Sequence, residues 1–270
     1  MIEKTIFITS WLTQAFFVLA MLSGIPLLFF YHTQKAYDSV QIITYLIPNG
    51  NFIRKFHYFS SEALLIFALI HTAQQLFRKQ IRISQSSWNY AIAAVISIIL
   101  LLFGGFVLKA DQSGHSAGII AIGMIHDFGP FSFLSHFLES SRHYFYWKFF
   151  LWHAIFLPAL LIASLYFHIK RINVPTEFAA IAAGITIISI FLLPFPADIA
   201  PYLNYTHIKG PWFFNGIETL LSKGYPVFII LIEMTIPFLL LILYWRAKHK
   251  TVISALFFLW VIYYAAIGSI

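Results

Sequence analysis

Apolar residues run through this chain in blocks of about twenty, separated by short polar or basic stretches. That alternation predicts about seven helices of membrane-crossing length. The blocks are 11–31, 56–77, 89–108, 147–169, 176–194, 226–245 and 251–268. Gly24 and Pro26 interrupt the first, which a membrane helix tolerates when its neighbours satisfy the freed backbone groups. Between the first two blocks, 32–55 is mixed, and Pro48, Asn49 and Gly50 mark a turn. The loop 109–146 is long; within it AGIIAIGMI (117–125) is too short to span and suits a helix lying on the membrane surface. The loop 195–225 is rich in Pro, Gly and aromatic residues. The expected fold is all-α and integral to a membrane: a four-helix bundle over 1–175 followed by a three-helix part over 176–270.

Polar residues inside the blocks carry the chemistry. His57 and His71 lie fourteen positions apart in the second block, and His153 and His168 fifteen apart in the fourth. At about 100° per residue, fourteen steps make about 3.9 turns and fifteen about 4.2, so each pair shares a face. The vertical gap is about 21 to 22 Å, two-thirds of a hydrocarbon core about 30 Å thick. Two such helices side by side would hold two stacked bis-histidine sites, one near each surface, which suits a protein carrying two haems. Taken singly, intramembrane histidines also serve as hydrogen-bonded packing residues or proton relays. Pro158, between the second pair, predicts a kink tied to the extra residue there.

Composition narrows the class. The chain is 60% hydrophobic and only 10% charged, with mean hydropathy +0.81, more apolar surface than a soluble core can use. Cysteine is absent, which excludes disulfides, thiolate metal sites and covalent haem attachment within this chain. The net charge of +7 sits mostly in short loops, so it reads as topology and not as nucleic-acid binding. Arg78, Lys79 and Arg82, then Lys170 and Arg171, then Arg246, Lys248 and Lys250 follow the second, fourth and sixth blocks. The positive-inside rule makes those loops and the amino terminus cytoplasmic, with lipid as the surrounding partner. Glu3 and Lys4 precede an apolar run that continues as a span, so no cleavable leader is expected. Both histidine helices then run from outside to inside. His57 and His153 fall at the outer level and His71 and His168 at the inner, which sets the pairing.

The runs AYDSVQIITYLIPNGNFIRKFH (36–57), GFVLKADQ (105–112) and KFFLWHAIFLP (148–158) resemble the cytochrome b of Rieske/cytochrome b complexes. The fifteen-residue gap is similar to that of the thylakoid branch. The resemblance covers 20–171 with four ligands in order, and extends more weakly to the last hundred residues. It implies two b-type haems held without covalent bonds by His57, His153, His71 and His168. Arg54 and Lys55 would serve the outer haem propionates, with Arg78, Lys79, Lys170 and Arg171 at the inner one. Gly24 and Gly105 would allow close approach, and Trp212 with Phe213 would form a quinone platform or an interfacial anchor. HIKGPWFF (207–214) falls where the family has Pro-Glu-Trp-Tyr, so Gly210 and Pro211 stand in the Pro-Glu positions and the motif glutamate is missing. Glu218 and Glu233 are the candidate replacement proton acceptors. Lys109–Ala110 replaces the family's Pro-Trp, Tyr58 follows the first ligand, Gln74 holds an arginine position, and Ser10 and Trp11 replace first-helix glycines.

The implied function is a di-haem cytochrome b subunit of a membrane quinol/quinone oxidoreductase in a bacterial or archaeal inner membrane, within a multi-subunit complex. Rieske, iron–sulfur or multihaem c-type subunits would be the periplasmic partners. One alternative is the membrane anchor of a periplasmic oxidoreductase with a single quinone site and no Q-cycle. Another is a haem-free, transporter-like protein. Glu62 lies about 140° round its helix from His57 and is expected to pair or to face a partner subunit. His115, His126, His136, His143 and His207 show no tight metal-ligand spacing and are expected at wet interfaces.

Overall fold

The computed structural model describes residues 2–77, 83–127, 142–201 and 210–269. Their long elements are α1 (Ile2–Phe30), α2 (Ala36–Tyr45), α3 (Gly50–Leu76), α4 (Gln85–Leu108), α5 (Gln112–Asp127), α6 (Arg142–Leu151), α7 (Leu157–Ile169), α8 (Thr176–Leu192), α9 (Asn215–Ser222), α10 (Val227–Arg246) and α11 (Lys250–Gly268). No strand occurs among the described residues. Arg78, Lys79, Arg82, His136, Glu139 and His207 lie outside them, as do the side chains of Arg142 and His143.

Five helices among the described residues are long and apolar enough to cross a membrane: Phe7–Phe30, Gln85–Leu108, Tyr144–Ile169, Val227–Arg246 and Lys250–Gly268. The other two expected spans are also helical. α3 has 27 residues, about 40 Å at 1.5 Å per residue, but its histidines, cations, Glu62 and glutamines dilute the apolar signal. α8 has 17 residues, about 26 Å, a little short of a core of about 30 Å.

The mixed segment before α3 is more ordered than its composition suggests. α2 buries Ala36, Ser39, Val40 and Ile43 along one face and packs on α3. The Pro48–Gly50 turn follows, with Asn49 left-handed at φ 58°, a conformation Asn adopts more readily than most residues. Gly50 starts α3 so close to the Ile43 carbonyl that no β-carbon fits between them.

The irregularity at Pro158 is a π-helical turn over Trp152–Phe156, joining α6 to α7, closed by the Leu157 N–H on the Trp152 carbonyl. Proline has no N–H to continue the α ladder, and a π turn absorbs one extra residue. His153 lies in that turn, so the fifteen-residue interval behaves as a fourteen-residue α interval and matches His57–His71.

The chain forms two compact units, one of residues 1–105 and 150–198, the other of 106–149 and 199–270. In the first, α1, α3 and α8 pack together, around the fully buried Phe16, Leu65 and Thr186. Phe16 stacks on Phe67 at 5.1 Å, and Trp11 meets Phe178 of α8 at 4.9 Å. α8 buries Ala182 and Thr186 within the histidine-bearing unit. In the second unit, Ile217, Leu220 and Ile230 form a core joined by Met124, Met234, Tyr264 and Ile267. There Asp111 caps α5: its Oδ1 accepts from the Gly114 N–H at 2.8 Å, and its Oδ2 meets Lys109 Nζ at 3.0 Å.

Candidate functional site

All four span histidines lie in the first unit. α3 brings His57 and the π turn brings His153 to ring centroids 6.2 Å apart, with planes at 84°. Each Nδ1 is 2.9 Å from a main-chain carbonyl, His57 to Ala20 of α1 and His153 to Leu101 of α4. A carbonyl only accepts, so each Nδ1 carries the proton and each Nε2 keeps its lone pair. Four residues beyond each carbonyl stands a glycine. A β-carbon on Gly24 would meet His57 Cε1 at 3.0 Å, and one on Gly105 would meet His153 Cε1 at 3.0 Å. The two histidines thus share one local plan on two helix pairs. Ser23 Oγ adds a contact to His57 Nδ1 at 3.2 Å.

The other pair is less symmetrical. His168 donates from Nδ1 to the Ser87 carbonyl at 3.0 Å, while Ser87 Oγ donates to the His168 carbonyl at 2.7 Å. His71 Nδ1 faces Thr9 Oγ1 at 3.4 Å, and that hydroxyl gives its own proton to Gln74 Oε1 at 2.7 Å. Gln75 Nε2 lies 3.4 Å from His71 Nε2, so ligation by His71 requires that amide to turn aside. Gln74, where the family resemblance places an arginine, here builds a neutral hydrogen-bond network on the ligand candidate.

Arg54 and Lys55 both touch Phe195, at 5.0 and 5.7 Å from its ring centroid. Arg54 forms a two-bond ion pair with Asp198 at 2.5 and 2.6 Å and donates to Thr44 Oγ1 at 2.9 Å. Arg54 is about 60° round the helix from His57, whereas Lys55 is about 160° away and stands on the other side of α3. Asp198 and Phe195 carry no periodic sequence signal and were not among the expected site residues. Glu62 is half-buried on α3.

The expected residues of the carboxyl-terminal part lie in the second unit. Glu233 Oε2 accepts from Trp260 Nε1 at 3.2 Å, Trp260 stacks on Tyr264 at 5.0 Å, and Tyr264 donates to the Phe213 carbonyl at 2.9 Å. The Glu218 carboxyl fills the space where a side chain on Gly210 would begin. Trp212 and Phe213 pack edge to face at 5.5 Å, with Trp212 exposed. His115 accepts from or donates to Tyr146 Oη at 3.0 Å, and exposed His126 contacts Asp127 at 3.2 Å.

The family model described as cytochrome b/b6/petB matches residues 3–175. This chain belongs to the cytochrome b family. Curated relatives include cytochrome b6 of Heliomicrobium gestii, 27% identical over 112 residues, or 40% of this chain and 53% of that one. Cytochrome b6 of Heliobacterium modesticaldum is 25% identical over 112 residues, with the same coverage. The match thus spans about half the length of these curated relatives. A solved structure titled "Hyperthermophilic respiratory Complex III" shares the fold with TM-score 0.73 at 16% identity, over 97% of this chain and 91% of that one.

Membership of the cytochrome b family implies haem b, and the His57–His153 level fits it. Two metal–imidazole bonds of about 2 Å each leave roughly 2 Å of the 6.2 Å separation for the two nitrogen-to-centre half-rings. Both Nδ1 protons are committed to carbonyls, the second interaction that fixes a ligand's tautomer and raises its basicity. Gly24 and Gly105 leave the rings the space they occupy.

Proposed function

We propose that this cytochrome b is the di-haem subunit of a membrane quinol/quinone oxidoreductase complex, passing electrons across the bilayer between quinone and a periplasmic redox partner. The observation that carries the reading is the His57–His153 pair, held by matched carbonyl bonds on matched glycines. His57 and His153 would hold one haem and His71 and His168 the second. Bound there, haem supplies a one-electron centre within an apolar bundle.

The chain's own residues do the rest. The Ala20, Leu101 and Ser87 carbonyls keep the Nδ1 protons in place, so the imidazoles bind as neutral ligands and no proton need move with the electron. Positive-inside placement of Lys170, Arg171, Arg246, Lys248 and Lys250 supports a cytoplasmic amino terminus, which would set His57–His153 at the outer level. Glu218 and Glu233 are the candidate proton acceptors at a quinol site, with Trp212 and Phe213 beside them in sequence or space. An iron–sulfur, Rieske or multihaem c-type subunit would accept or deliver electrons outside.

A membrane anchor with a single quinone site is the second reading. It is favoured by Gly210-Pro211-Trp212-Phe213, which lacks the family's motif glutamate. The test is a reduced-minus-oxidised spectrum of the purified chain with a haem-to-polypeptide ratio. Two b-type haems per chain are expected; a spectrum without a b-type band would make the chain a haem-free, transporter-like protein.

A further inference from the structure

A guanidinium presents five N–H donors in a planar fork and can serve two carboxylates at once, one on each open edge. Arg54 uses three of its donors. Both Nη1 hydrogens go to Thr44 Oγ1 and Asp198 Oδ2, and one Nη2 hydrogen goes to Asp198 Oδ1. Among the described residues, Nε–H and the second Nη2–H have no acceptor. These two hydrogens lie on one edge and match a second carboxylate. The pair is withdrawn from water, with side chains 11% and 8% exposed, and Gln41 Nε2 supports Asp198 Oδ2 at 3.4 Å. Phe195 lies under the guanidinium and against Tyr58 at 5.3 Å, which limits the plane in which Arg54 can turn. Arg54 stands one turn before His57 on nearly the same face.

We propose that Asp198 is a positioning residue of the outer haem site: by taking the end-on fork of Arg54, it leaves the side-on fork set for a haem propionate. This rests on the di-haem reading above and adds to it a residue 144 positions away from Arg54. Asp198 shares the cation, so the propionate meets part of a positive charge, and the outer haem titrates lower than it would beside an unshared arginine.

The test is a redox titration of the purified complex, with each haem followed optically. Asp198→Asn frees the whole charge of Arg54, and the outer midpoint is expected to rise while the inner one stays. Arg54→Gln with Asp198→Asn removes the ion pair as a neutral unit. The outer haem is then expected to titrate lower or to be lost, and an intact inner band reports the fold. Two haems at wild-type midpoints in the double variant, or shifts of the same sign in both, would reduce the pair to a structural staple and overturn the proposal. Should the double variant fail to assemble, Arg54→Lys decides: it keeps the charge without the fork, and an unmoved outer midpoint overturns the proposal. A wild-type complex with no b-type band would instead sink the di-haem reading itself.

Discussion

Gly105 lies so close to His153 that a β-carbon on it would meet the ring's Cε1 at 3.0 Å. The imidazole position therefore depends on the absence of a side chain on the neighbouring helix. Gly105→Val, or Gly24→Val against His57, forces the ring or the helix aside at about 1–3 kcal/mol of overpacking. Each variant is expected to drop the haem-to-polypeptide ratio from about two to about one, read by pyridine haemochrome, with the second haem's band kept.

His168→Ala removes one imidazole and the bond it makes to Ser87. The His71–His168 haem alone is expected to go, leaving one b-type component. Loss of both components, or of neither, would contradict the pairing by level.

Ser87 bonds the histidine's turn in both directions, by carbonyl and by hydroxyl. Ser87→Ala removes only the hydroxyl bond, about 0.5–1.5 kcal/mol. The expected result is a small drop in melting temperature and a shift in the low-spin electron paramagnetic resonance signal of the His71–His168 haem. Ser87→Thr should restore both.

Glu233 accepts from Trp260, and a glutamine in its place still offers a carbonyl oxygen to that indole. Glu233→Gln is therefore expected to fold, as is Glu218→Gln, and steady-state quinol turnover measures their part in proton transfer. A fall of about 10²-fold or more marks a general base; turnover unchanged in both variants removes them as proton acceptors.

Asp111 is fully buried and joins Lys109, Ser113 and the Gly114 N–H. Asp111→Ala removes the ion pair to Lys109 and the cap of α5, and breaking such a buried pair costs about 3–5 kcal/mol. Thermal denaturation of the purified chain should show it as a markedly lower midpoint. Asp111→Asn keeps the cap and should lose less.

The histidine helices were legible because a 3.6-residue period turns spacing into a face, and because membrane helices cannot stray from that period. The π turn is legible only in hindsight: Pro158 and the extra residue signalled an irregularity, without saying whether it would bend the helix or widen it. α2 escaped because Ala36, Val40 and Ile43 make a stripe of only about two turns in a polar segment, too short to stand out. The Arg54–Asp198 pair left no trace in the sequence, since contacts between distant segments follow from packing and not from any local pattern. The same holds for α8, whose apolar run looks like that of any span but whose buried Thr186 ties it to the first unit.

His57, His153 and His168 each lean on a carbonyl of the peptide chain, an acceptor that survives any change of side chain. The Thr9 hydroxyl that meets His71 is of another kind, because a single codon can replace it. The His71 side chain is thereby open to retuning by ordinary variation at Thr9 or Gln74, while the His57 and His153 rings are anchored in the backbone itself.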